Sequence, residues 1–365
     1  MIKKKIFLIG NFSFLKSNSM NNYSLLYKNT LKKKLNIRLI RPSKIMTNLN
    51  INNKNILKWF GYVDNYILFG FKLLLLIKKT DIVHICNHSN SIFYPFIRSK
   101  NILITCHDLI NIKRAINVRN NNYPKLSLTG HIYQYLIVYF LKKFKKIICV
   151  SKNTQNELIK YLNIKKKNTE VIYNSIDINF IKNKKNFIAK SDFKYFLHVG
   201  NNNFYKNKLG LINIFYELLK YKKFSNHKLI LAGKKNSIEL DYLIKKLFLK
   251  KKVINIISPS FSKLSKLYLD AEALIFPSHE EGFGIPLIEA QYFGCLVITS
   301  NKMPMKEILK KSCIYISPNN FFQSAKLIKK NYFKKKRLIN LGIKNSNNFN
   351  IKKISNQYLK LYNQF

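Results

Sequence analysis

The chain has 365 residues, 47% of them hydrophobic and 14% aromatic, so it is long enough for two domains with buried cores and too apolar to be disordered over most of its length. Its 66 basic and 16 acidic residues give a net charge of +50, and lysine accounts for 60 of the basic residues. The lysines are spread along the whole chain and arginine is scarce, which disfavours a specific nucleic-acid-binding protein. Codon drift towards A and T explains much of this charge without any function.

The cysteines are odd in number and form no C-x-x-C pair, which argues against a disulfide framework and a zinc site. They are Cys86, Cys106, Cys149, Cys295 and Cys313. We expect a reducing, cytoplasmic location, with peripheral contact of the basic surface to the anionic inner face of the cell membrane. The apolar run 66–77 is shorter than the roughly 20 residues that a spanning helix needs, so we expect a buried or interfacial helix there.

Short apolar runs alternate with longer helical stretches from the beginning of the chain, which is typical of βα units and a mostly parallel sheet. The first series predicts strands at 6–9, 37–40, 82–85, 102–106, 147–150 and 171–173. Helices are predicted between these strands, at 55–77, at 127–144, and after residues 22 and 151. The stretch 179–192, rich in Lys and Asn, is predicted to be a linker and hinge.

A second series of the same kind follows the linker. Its strands are predicted at 195–199, 229–231, 253–257, 273–276, 296–299 and 314–316. The fold class is therefore α/β, with two doubly wound Rossmann-like domains at 1–180 and 193–345, and a C-terminal helix within 346–365 that we expect to pack back on the first domain. Because open α/β sheets bind ligands at the carboxyl ends of their strands, the site is predicted to lie in the cleft between the domains.

The most informative segment is 276–290, F-P-S-H-E-E-G-F-G-I-P-L-I-E-A, which follows a predicted strand and opens a predicted helix. Gly282 and Gly284 free the backbone before the helix, and Pro286 suits its first turn. The N–H groups at such a turn attract anions, and Glu281 and Glu289 can hold hydroxyl groups on either side of a ligand's phosphates. Taken alone, the motif also fits a structural role in which the glycines cap a turn and Glu289 complements the helix dipole.

The segment 276–290 closely resembles the signature of the retaining nucleotide-sugar glycosyltransferases of family 4, which belong to glycosyltransferase group 1 and have the two-domain GT-B fold. Further motifs occur in the order of that family. They are H-D-L at 107–109, I-C-V-S at 148–151, V-I-Y-N-S-I-D at 171–177, H-V-G-N at 198–201, Y-K-N at 205–207 and L-I-L-A-G at 229–233. Together they cover about residues 100–301, and the rest of the chain resembles the family in layout only.

Carried over by position, the resemblance implies that Glu289 binds the ribose hydroxyls of the donor nucleotide and that Glu281 binds the donor sugar. Lys206 occupies the basic position after the V-G strand, where one ammonium stabilises the charge that develops on a leaving diphosphate. Lys206, Glu281 and His107 are therefore the expected catalytic residues. The other donor-binding residues implied are Gly200, Asn201, Gly282, Phe283, Gly284, Ile285 and Pro286.

His107 follows the strand 102–106, at the edge of the sheet where α/β sites collect, and the resemblance implies contact with the donor sugar. Gly10 and Asp108 are assigned to an acceptor-binding or loop role. A structural histidine is the alternative for His107, and a metal site made of His84, His88 and His107 is a further alternative, although these residues lack helical ligand spacing and the family generally works without a metal. We therefore expect no metal and no cofactor apart from the nucleotide-sugar co-substrate.

The sequence departs from the family pattern at several positions. The loop 10–19 lacks the paired glycines often found there, and Asn201 and Tyr205 stand where an arginine is frequent. One cation, Lys206, would then carry the diphosphate charge alone unless another lysine shares it. Ser175 and Cys295 replace a usual glycine and a usual proline, and both are tolerable turn or packing changes.

The sequence therefore predicts a retaining glycosyltransferase, of the hexosyltransferase class, that moves a sugar from a nucleotide diphosphate to a hydroxyl of a saccharide or lipid-linked acceptor, in polysaccharide or lipopolysaccharide biosynthesis. Three alternatives remain open. A nicotinamide-dependent oxidoreductase would need a G-x-G-x-x-G motif after the first strand, where only Gly10 is present. A catalytically weak GT-B partner subunit and a basic nucleic-acid-binding protein are the other two.

Overall fold

In the computed structural model the described residues are 5–12, 18–49, 53–118, 123–177, 180 and 191–365. They belong to two compact units. Unit 1 comprises Met1–Tyr173 together with Ile354–Phe365, and unit 2 comprises Asn174–Lys353. Most of the predicted linker 179–192 and the centre of the loop 10–19 lie outside the described residues.

Unit 1 is built on a six-stranded parallel sheet whose order is β2-β1-β3-β4-β5-β6. The strands are β1 (Ile6–Ile9), β2 (Ile37–Ile40), β3 (Ile82–Ile85), β4 (Asn101–Cys106), β5 (Ile147–Cys149) and β6 (Thr169–Val171). The central strands are almost wholly apolar and rich in isoleucine, as expected for a parallel sheet that helices cover on both faces.

Helices connect these strands, and the last helix of the chain joins them from a distance in sequence. They are α1 (Asn18–Leu31), α2 (Lys54–Tyr62), α3 (Phe69–Leu76), α4 (Ile110–Ala115), α5 (Leu128–Leu141), α6 (Lys152–Leu162) and α14 (Ile351–Tyr362). A π-helical segment, Val63–Leu68, runs from α2 into α3, so the predicted helix 55–77 is confirmed as one helical run with a wide turn inside it. A 3₁₀ segment, His88–Phe96, follows β3.

Unit 2 repeats the same architecture with a second six-stranded parallel sheet, ordered β12-β11-β10-β7-β8-β9. Its strands are β7 (Tyr195–Gly200), β8 (Lys228–Gly233), β9 (Val253–Ile257), β10 (Ala273–Phe276), β11 (Val297–Ser300) and β12 (Ile314–Ile316). Its helices are α7 (Lys208–Leu219), α8 (Ile238–Lys246), α9 (Phe261–Asp270), α10 (Ile285–Tyr292), α11 (Met305–Leu309), α12 (Phe321–Asn331) and α13 (Lys335–Ser346). The predicted α/β fold with two doubly wound sheets is confirmed.

The one strand that was predicted clearly out of place is β6. The apolar sequence V-I-Y predicted this strand at 171–173. The strand is instead Thr169–Val171, and Ile147 on β5 pairs with Thr169. β6 is an edge strand and its three residues are half-buried, so polar residues are tolerated there and hydrophobicity is a poor guide. Among the described residues, no helix is both long enough and apolar enough to cross a membrane.

A buried polar cluster fastens the C-terminal helix α14 to the sheet of unit 1. Both ring nitrogens of His84 on β3 are hydrogen-bonded, Nδ1 to the hydroxyl of Tyr362 at 2.6 Å and Nε2 to the hydroxyl of Thr105 at 2.7 Å. The hydroxyl of Tyr23 lies 3.1 Å from that of Thr105 and 2.5 Å from that of Tyr358. Burial lowers the pKa of His84 to about 3, so the ring is neutral and the cluster is held by hydrogen bonds alone.

We predict that Tyr362→Phe destabilises the protein, because it leaves Nδ1 of His84 buried without its partner. The expected loss is about 1–3 kcal/mol of unfolding free energy in chemical denaturation. Tyr242→Phe is the matched control, since Tyr242 is 64% exposed and its hydroxyl has access to water. The prediction is wrong if both variants are as stable as the wild type.

Candidate active site

The carboxyl edge of the unit 2 sheet brings together most of the predicted donor-binding residues. β7 and β8 end there side by side, with Gly200 opposite Gly233. A Cβ on Gly233 would lie 2.1 Å from the carbonyl oxygen of Gly200, and the φ of Gly233 is +149°, so only glycine fits. Asn201 continues from β7 into a tight turn, in which its Oδ1 accepts the N–H of Asn203 at 3.0 Å.

Asn207 holds three loops of this edge together. Its backbone is left-handed, with φ at 54°, and its Oδ1 accepts the N–H of Gly210, which starts α7. Its Nδ2 donates to the carbonyl oxygens of Pro277 at 3.1 Å and Pro318 at 3.0 Å, which follow β10 and β12. The loop after β7 is thereby fixed against the loops after two other strands.

Lys206, on the loop after β7, forms an ion pair with Glu281, on the loop after β10. Nζ of Lys206 donates to both carboxylate oxygens of Glu281, at 2.8 and 3.0 Å. The two side chains are 13% and 7% exposed, so water screens the pair little. Nζ also lies 4.9 Å from the centre of the Phe276 ring, and the N–H of His279 donates to the carbonyl oxygen of Tyr205 at 2.7 Å, which ties the two loops together beside the pair. The structure therefore brings together two of the three predicted catalytic residues.

The helix α10 begins directly after this pair, as the glycines and proline predicted. Gly284 is its N-cap with φ at +91°, Ile285 is its first residue, and Pro286 lies in its first turn. Gly282 precedes this turn. The side chain of Phe283 is buried, with its ring 5.6 Å from that of Phe349, so the ring packs in the interior of unit 2. The first N–H groups of a helix have no acceptor within the helix, which favours an anion at this position.

Glu289 lies one turn further along α10 in a buried environment. Its Oε2 accepts a hydrogen bond from the hydroxyl of Tyr268 on α9 at 2.8 Å. Burial raises the pKa of Glu289 to about 7, the hydrogen bond from Tyr268 opposes that rise, and the carboxylate of Asp177 adds to it. Tyr268 is itself held by the ring of Phe293, stacked at 5.9 Å and 8°. Among the described residues, Glu289 therefore has a hydroxyl partner and no cationic one, unlike Glu281.

The sequence reasoning did not single out Lys208 or His198 as residues of this site. Nζ of Lys208, at the start of α7, donates to Oδ1 of Asn202 at 2.9 Å, and burial lowers its pKa to about 8. His198 on β7 donates from Nδ1 to the carbonyl oxygen of Ile275 at 3.0 Å. Burial, with Lys208 and Lys206 nearby, lowers the pKa of His198 to about 3, so its ring is neutral. Nothing in the sequence marked Lys208 among sixty lysines, whereas His198 was visible in the H-V-G-N motif.

Tyr268 was also missed. Its position on the apolar side of α9 made it look like an ordinary core residue, and only the three-dimensional contact identifies it as the partner of Glu289. The N-cap role of Asn207 had a readable signal, because Asn directly before an apolar helix is a preferred N-cap residue.

The remaining predicted residues belong to unit 1. His107 is buried after β4, its Nε2 donates to the carbonyl oxygen of Cys86 at 2.9 Å, and burial lowers its pKa to about 4. Gly10 follows β1, where a Cβ would lie 2.8 Å from Nε of Arg41. Oδ1 of Asp108 accepts the N–H of Ile110 at the start of α4. The functional roles of these three residues stay predictions from the resemblance.

The alternative of a histidine metal site gains no support from unit 1. Both nitrogens of His84 are hydrogen-bonded inside the polar cluster of α14, so this side chain is structural. His88 lies at the start of the 3₁₀ segment and is buried. Within the described ranges, no three His, Cys, Asp or Glu side chains are grouped as a metal ligand set.

Comparisons with known proteins identify the family. Residues 50–180 match the model of Glycosyltransferase Family 4, and residues 179–349 match that of Glycosyl transferases group 1. The chain is 30% identical to the O-antigen chain mannosyltransferase RfbU of Salmonella typhimurium over 290 residues, which are 79% of this chain and 74% of RfbU. It is also 30% identical, over 51% of its length and 50% of the relative, to the N-acetylgalactosamine-N,N'-diacetylbacillosaminyl-diphospho-undecaprenol 4-alpha-N-acetylgalactosaminyltransferase of Campylobacter jejuni.

Solved structures show the same fold at low sequence identity. Sucrose-phosphate synthase from Thermosynechococcus elongatus superimposes with a TM-score of 0.76 at 16% identity over 99% of both chains. The Anabaena protein HepE, determined in complex with UDP and glucose, superimposes with a TM-score of 0.71 at 15% identity over 99% of this chain and 100% of HepE. With its two parallel sheets and its matches to both family models, the chain belongs to the group 1 glycosyl transferases, has the GT-B fold and is a glycosyltransferase.

Proposed function

We propose that the protein is a retaining glycosyltransferase that moves a sugar from a nucleotide diphosphate donor to a hydroxyl of a saccharide or lipid-linked acceptor during the synthesis of cell-surface polysaccharide or lipopolysaccharide. The observation that carries this proposal is the ion pair of Lys206 and Glu281 immediately before the start of α10, with Glu289 eight positions after Glu281. Two relatives, an O-antigen chain mannosyltransferase and an N-acetylgalactosaminyltransferase named for a diphospho-undecaprenol compound, support this class of acceptor.

Departure of the nucleotide diphosphate is the step that this site is built to assist. Negative charge grows on the leaving phosphate oxygens as the glycosidic bond breaks. The ammonium of Lys206 and the N–H groups at the start of α10 stabilise that charge without having to reorient. The carboxylate of Glu281 accepts hydrogen bonds from sugar hydroxyls while it keeps Lys206 in place.

Lys208 supplies a second positive charge near the same position. Both lysines are close enough to His198 to lower its pKa, and both are largely buried, at 13% exposure for Lys206 and 7% for Lys208. We assign to Lys208 the neutralisation of part of the diphosphate's negative charge, a role that an arginine has in other members of the family. A diphosphate would also keep Lys208 protonated, since an anion beside an ammonium raises its pKa.

A panel of UDP, GDP and ADP in thermal-shift experiments tests the donor site, with wild type beside Glu289→Ala. A nucleotide at about 100 times its dissociation constant should add roughly 2.7 kcal/mol of stability, and Glu289→Ala should remove that gain. An equal shift with all three nucleotides that disappears with added salt would instead mean that binding is by charge alone.

Sugar transfer is tested next. The protein is incubated with sugar conjugates of the nucleotide that stabilises it, together with saccharide and lipid-linked acceptors. NMR of the product should show the anomeric configuration of the donor, and EDTA should leave the rate unchanged, since the resemblance implies transfer without a metal. An inverted product would refute the retaining mechanism. Nucleotide binding without transfer to any acceptor would favour the partner-subunit alternative.

We predict that Lys206→Ala lowers kcat/KM by about 10²–10³-fold, because the leaving diphosphate loses a preorganised charge and Glu281 loses its counter-ion. Lys222→Ala is the matched control, since Lys222 is an exposed lysine of the same unit, and its kcat/KM should stay within about twofold of wild type. Steady-state kinetics and a thermal unfolding curve for each variant separate loss of catalysis from loss of folding. Equal activity of the two variants would rule out a special role for Lys206.

We predict that nucleotide affinity rises with pH through about 7 in wild type and not in Glu289→Gln. The ribose hydroxyls donate to the ionised carboxylate, and burial has raised the pKa of Glu289 to about 7, so part of the protein is protonated below that pH. Calorimetric titration of the stabilising nucleotide at several pH values measures this. Tyr268 keeps its acceptor in the glutamine variant, and Asp177 is unchanged in both proteins.

The stability of the same two proteins gives an independent readout. A carboxyl whose pKa is raised by folding contributes stability below its ordinary pKa of about 4.3, and this contribution is lost as the pH rises through the folded value. The Tm of Glu289→Gln relative to wild type should therefore rise progressively between pH 4 and pH 7 and level off above pH 7. A constant difference in Tm across that pH range would contradict the assigned titration of Glu289.

A further inference from the structure

Unit 1 exposes an apolar surface that the site in unit 2 does not use. Helix α5 turns one whole face of apolar side chains outward, at positions i, i+4, i+7, i+8 and i+11, which lie on one side of a helix. These residues are Leu128 (78% exposed), Ile132 (53%), Tyr135 (56%), Leu136 (46%) and Tyr139 (57%). The opposite face, with Gln134, Ile137 and Leu141, is buried. The helix is thus apolar towards both the core and the solvent.

The neighbouring helical run α2–α3 exposes a second set of the same kind. Its members are Trp59 (68% exposed), Tyr62 (43%), Ile67 (51%), Phe71 (59%) and Leu75 (88%). The ring of Tyr66 stacks on that of Tyr62 at 6.1 Å, and its hydroxyl donates to the hydroxyl of Tyr133 on α5 at 3.2 Å. The two helical runs are thus in contact through Tyr66 and Tyr133, and we call the two exposed sets together the aromatic face.

The aromatic face is bordered by positive charge. Lys72 lies on α3, Lys78 and Lys79 follow it, and Lys142 and Lys143 follow α5, and all five side chains are exposed. Nζ of Lys143 lies 4.4 Å from the ring centre of Tyr139, directly at the edge of the face.

Negative charge is missing from the same two segments. The only acidic residue in 53–79 and 123–146 is Asp64. It is 1% exposed, and its carboxylate accepts the N–H groups of Ile45, Met46 and Thr47. The exposed face therefore combines apolar and aromatic side chains with lysines alone.

We propose that the aromatic face docks on an anionic lipid bilayer, with α2–α3 and α5 lying in the interface between head groups and acyl chains. Apolar and aromatic side chains beside lysines are the composition of helices that lie on such surfaces, where the rings sit at head-group depth and the lysines meet lipid phosphates. Ten large apolar side chains exposed on two contacting helical runs are uncommon on a surface that stays in water.

Charge complementarity decides between the possible occupants. A second copy of the chain in a two-fold dimer would bring the lysines of one face against those of the other, with no acid between them. A nucleic acid would use the lysines but would leave Leu75, Leu128 and Phe71 without apolar partners. A bilayer with anionic head groups satisfies both kinds of side chain. This inference does not depend on the identity of the donor, since the face contains none of the donor-binding residues.

The full-length protein can be tested with vesicles of phosphatidylcholine alone and of phosphatidylcholine mixed with phosphatidylglycerol, by co-sedimentation. The variant Leu75→Glu/Leu128→Glu changes the two most exposed aliphatic residues of the face. Ile238→Glu/Phe248→Glu is its matched control, because these residues are 91% and 94% exposed in unit 2 and the change in charge is the same. We expect wild type and control to bind the anionic vesicles and the face variant to bind at least about tenfold more weakly.

Trp59 supplies a second readout, because it is the one tryptophan of the chain and lies on the aromatic face. Its fluorescence should shift to shorter wavelength with anionic vesicles and be quenched by brominated acyl chains. Vesicle binding with unchanged Trp59 emission, or equal loss of binding in the face variant and the control, would overturn the proposal. So would a blue shift that depends on protein concentration without lipid, which would identify a second copy as the occupant. Nucleotide binding, measured separately, is expected to be the same in all three proteins.

Discussion

The side-chain amide of Asn207 makes the contacts on which the geometry of the candidate site depends. The ends of parallel strands lie at one edge of a sheet, but strand pairing alone does not fix the loops that follow them against one another. Asn207 bonds the loop after β7 to the carbonyl groups of Pro277 and Pro318, and it caps α7 at the same time. Lys206 is its neighbour in sequence, so the same contact sets Lys206 beside Glu281. A Cβ on Gly210 would lie 2.4 Å from Oδ1 of Asn207, which explains the glycine there.

The two glutamates of the site have different surroundings and are suited to different tasks. Both carboxylate oxygens of Glu281 accept from Nζ of Lys206, and the loops that carry the two residues are hydrogen-bonded to each other beside this ion pair. Glu289 is buried and accepts a hydrogen bond from the hydroxyl of Tyr268, and burial raises its pKa to about 7. Burial makes the ionised form of such a carboxyl unfavourable, and a ligand whose hydroxyl groups donate hydrogen bonds to it stabilises that form. The proposed ribose contact fits that requirement, and the ion pair fits a polar sugar beside a phosphate.

Unit 1 has a polar cluster in its interior and an apolar face on its surface, and each has a physical explanation. Its interior holds a hydrogen-bonded group made of Tyr23, His84, Thr105, Tyr358 and Tyr362, which fastens the end of the chain to the sheet. Each polar atom buried there needs a partner, so the helix α14 can dock in one register only. Its exterior carries the apolar aromatic face, which a bilayer would cover. The polar cluster thus specifies the fold, whereas the exposed rings are available to a partner.

The sequence by itself determined the fold class, nearly every strand and the start of α10, because these features have local signatures. It singled out Lys206, Glu281 and Glu289 through the resemblance of their motifs to a family, and their roles stay predictions. Runs of isoleucine bounded by turn residues mark buried parallel strands, and Gly284 with Pro286 marks a helix start. Only the tertiary structure decided that Tyr268 is the partner of Glu289, that Lys208 lies near His198, and that α5 turns an apolar face outward. Residues such as His84 and Tyr362 meet across 278 positions, and a contact of that kind leaves no periodic trace in a single sequence. A helix that is apolar all round likewise gives no sign of which side the core will cover, since that depends on the elements packed against it.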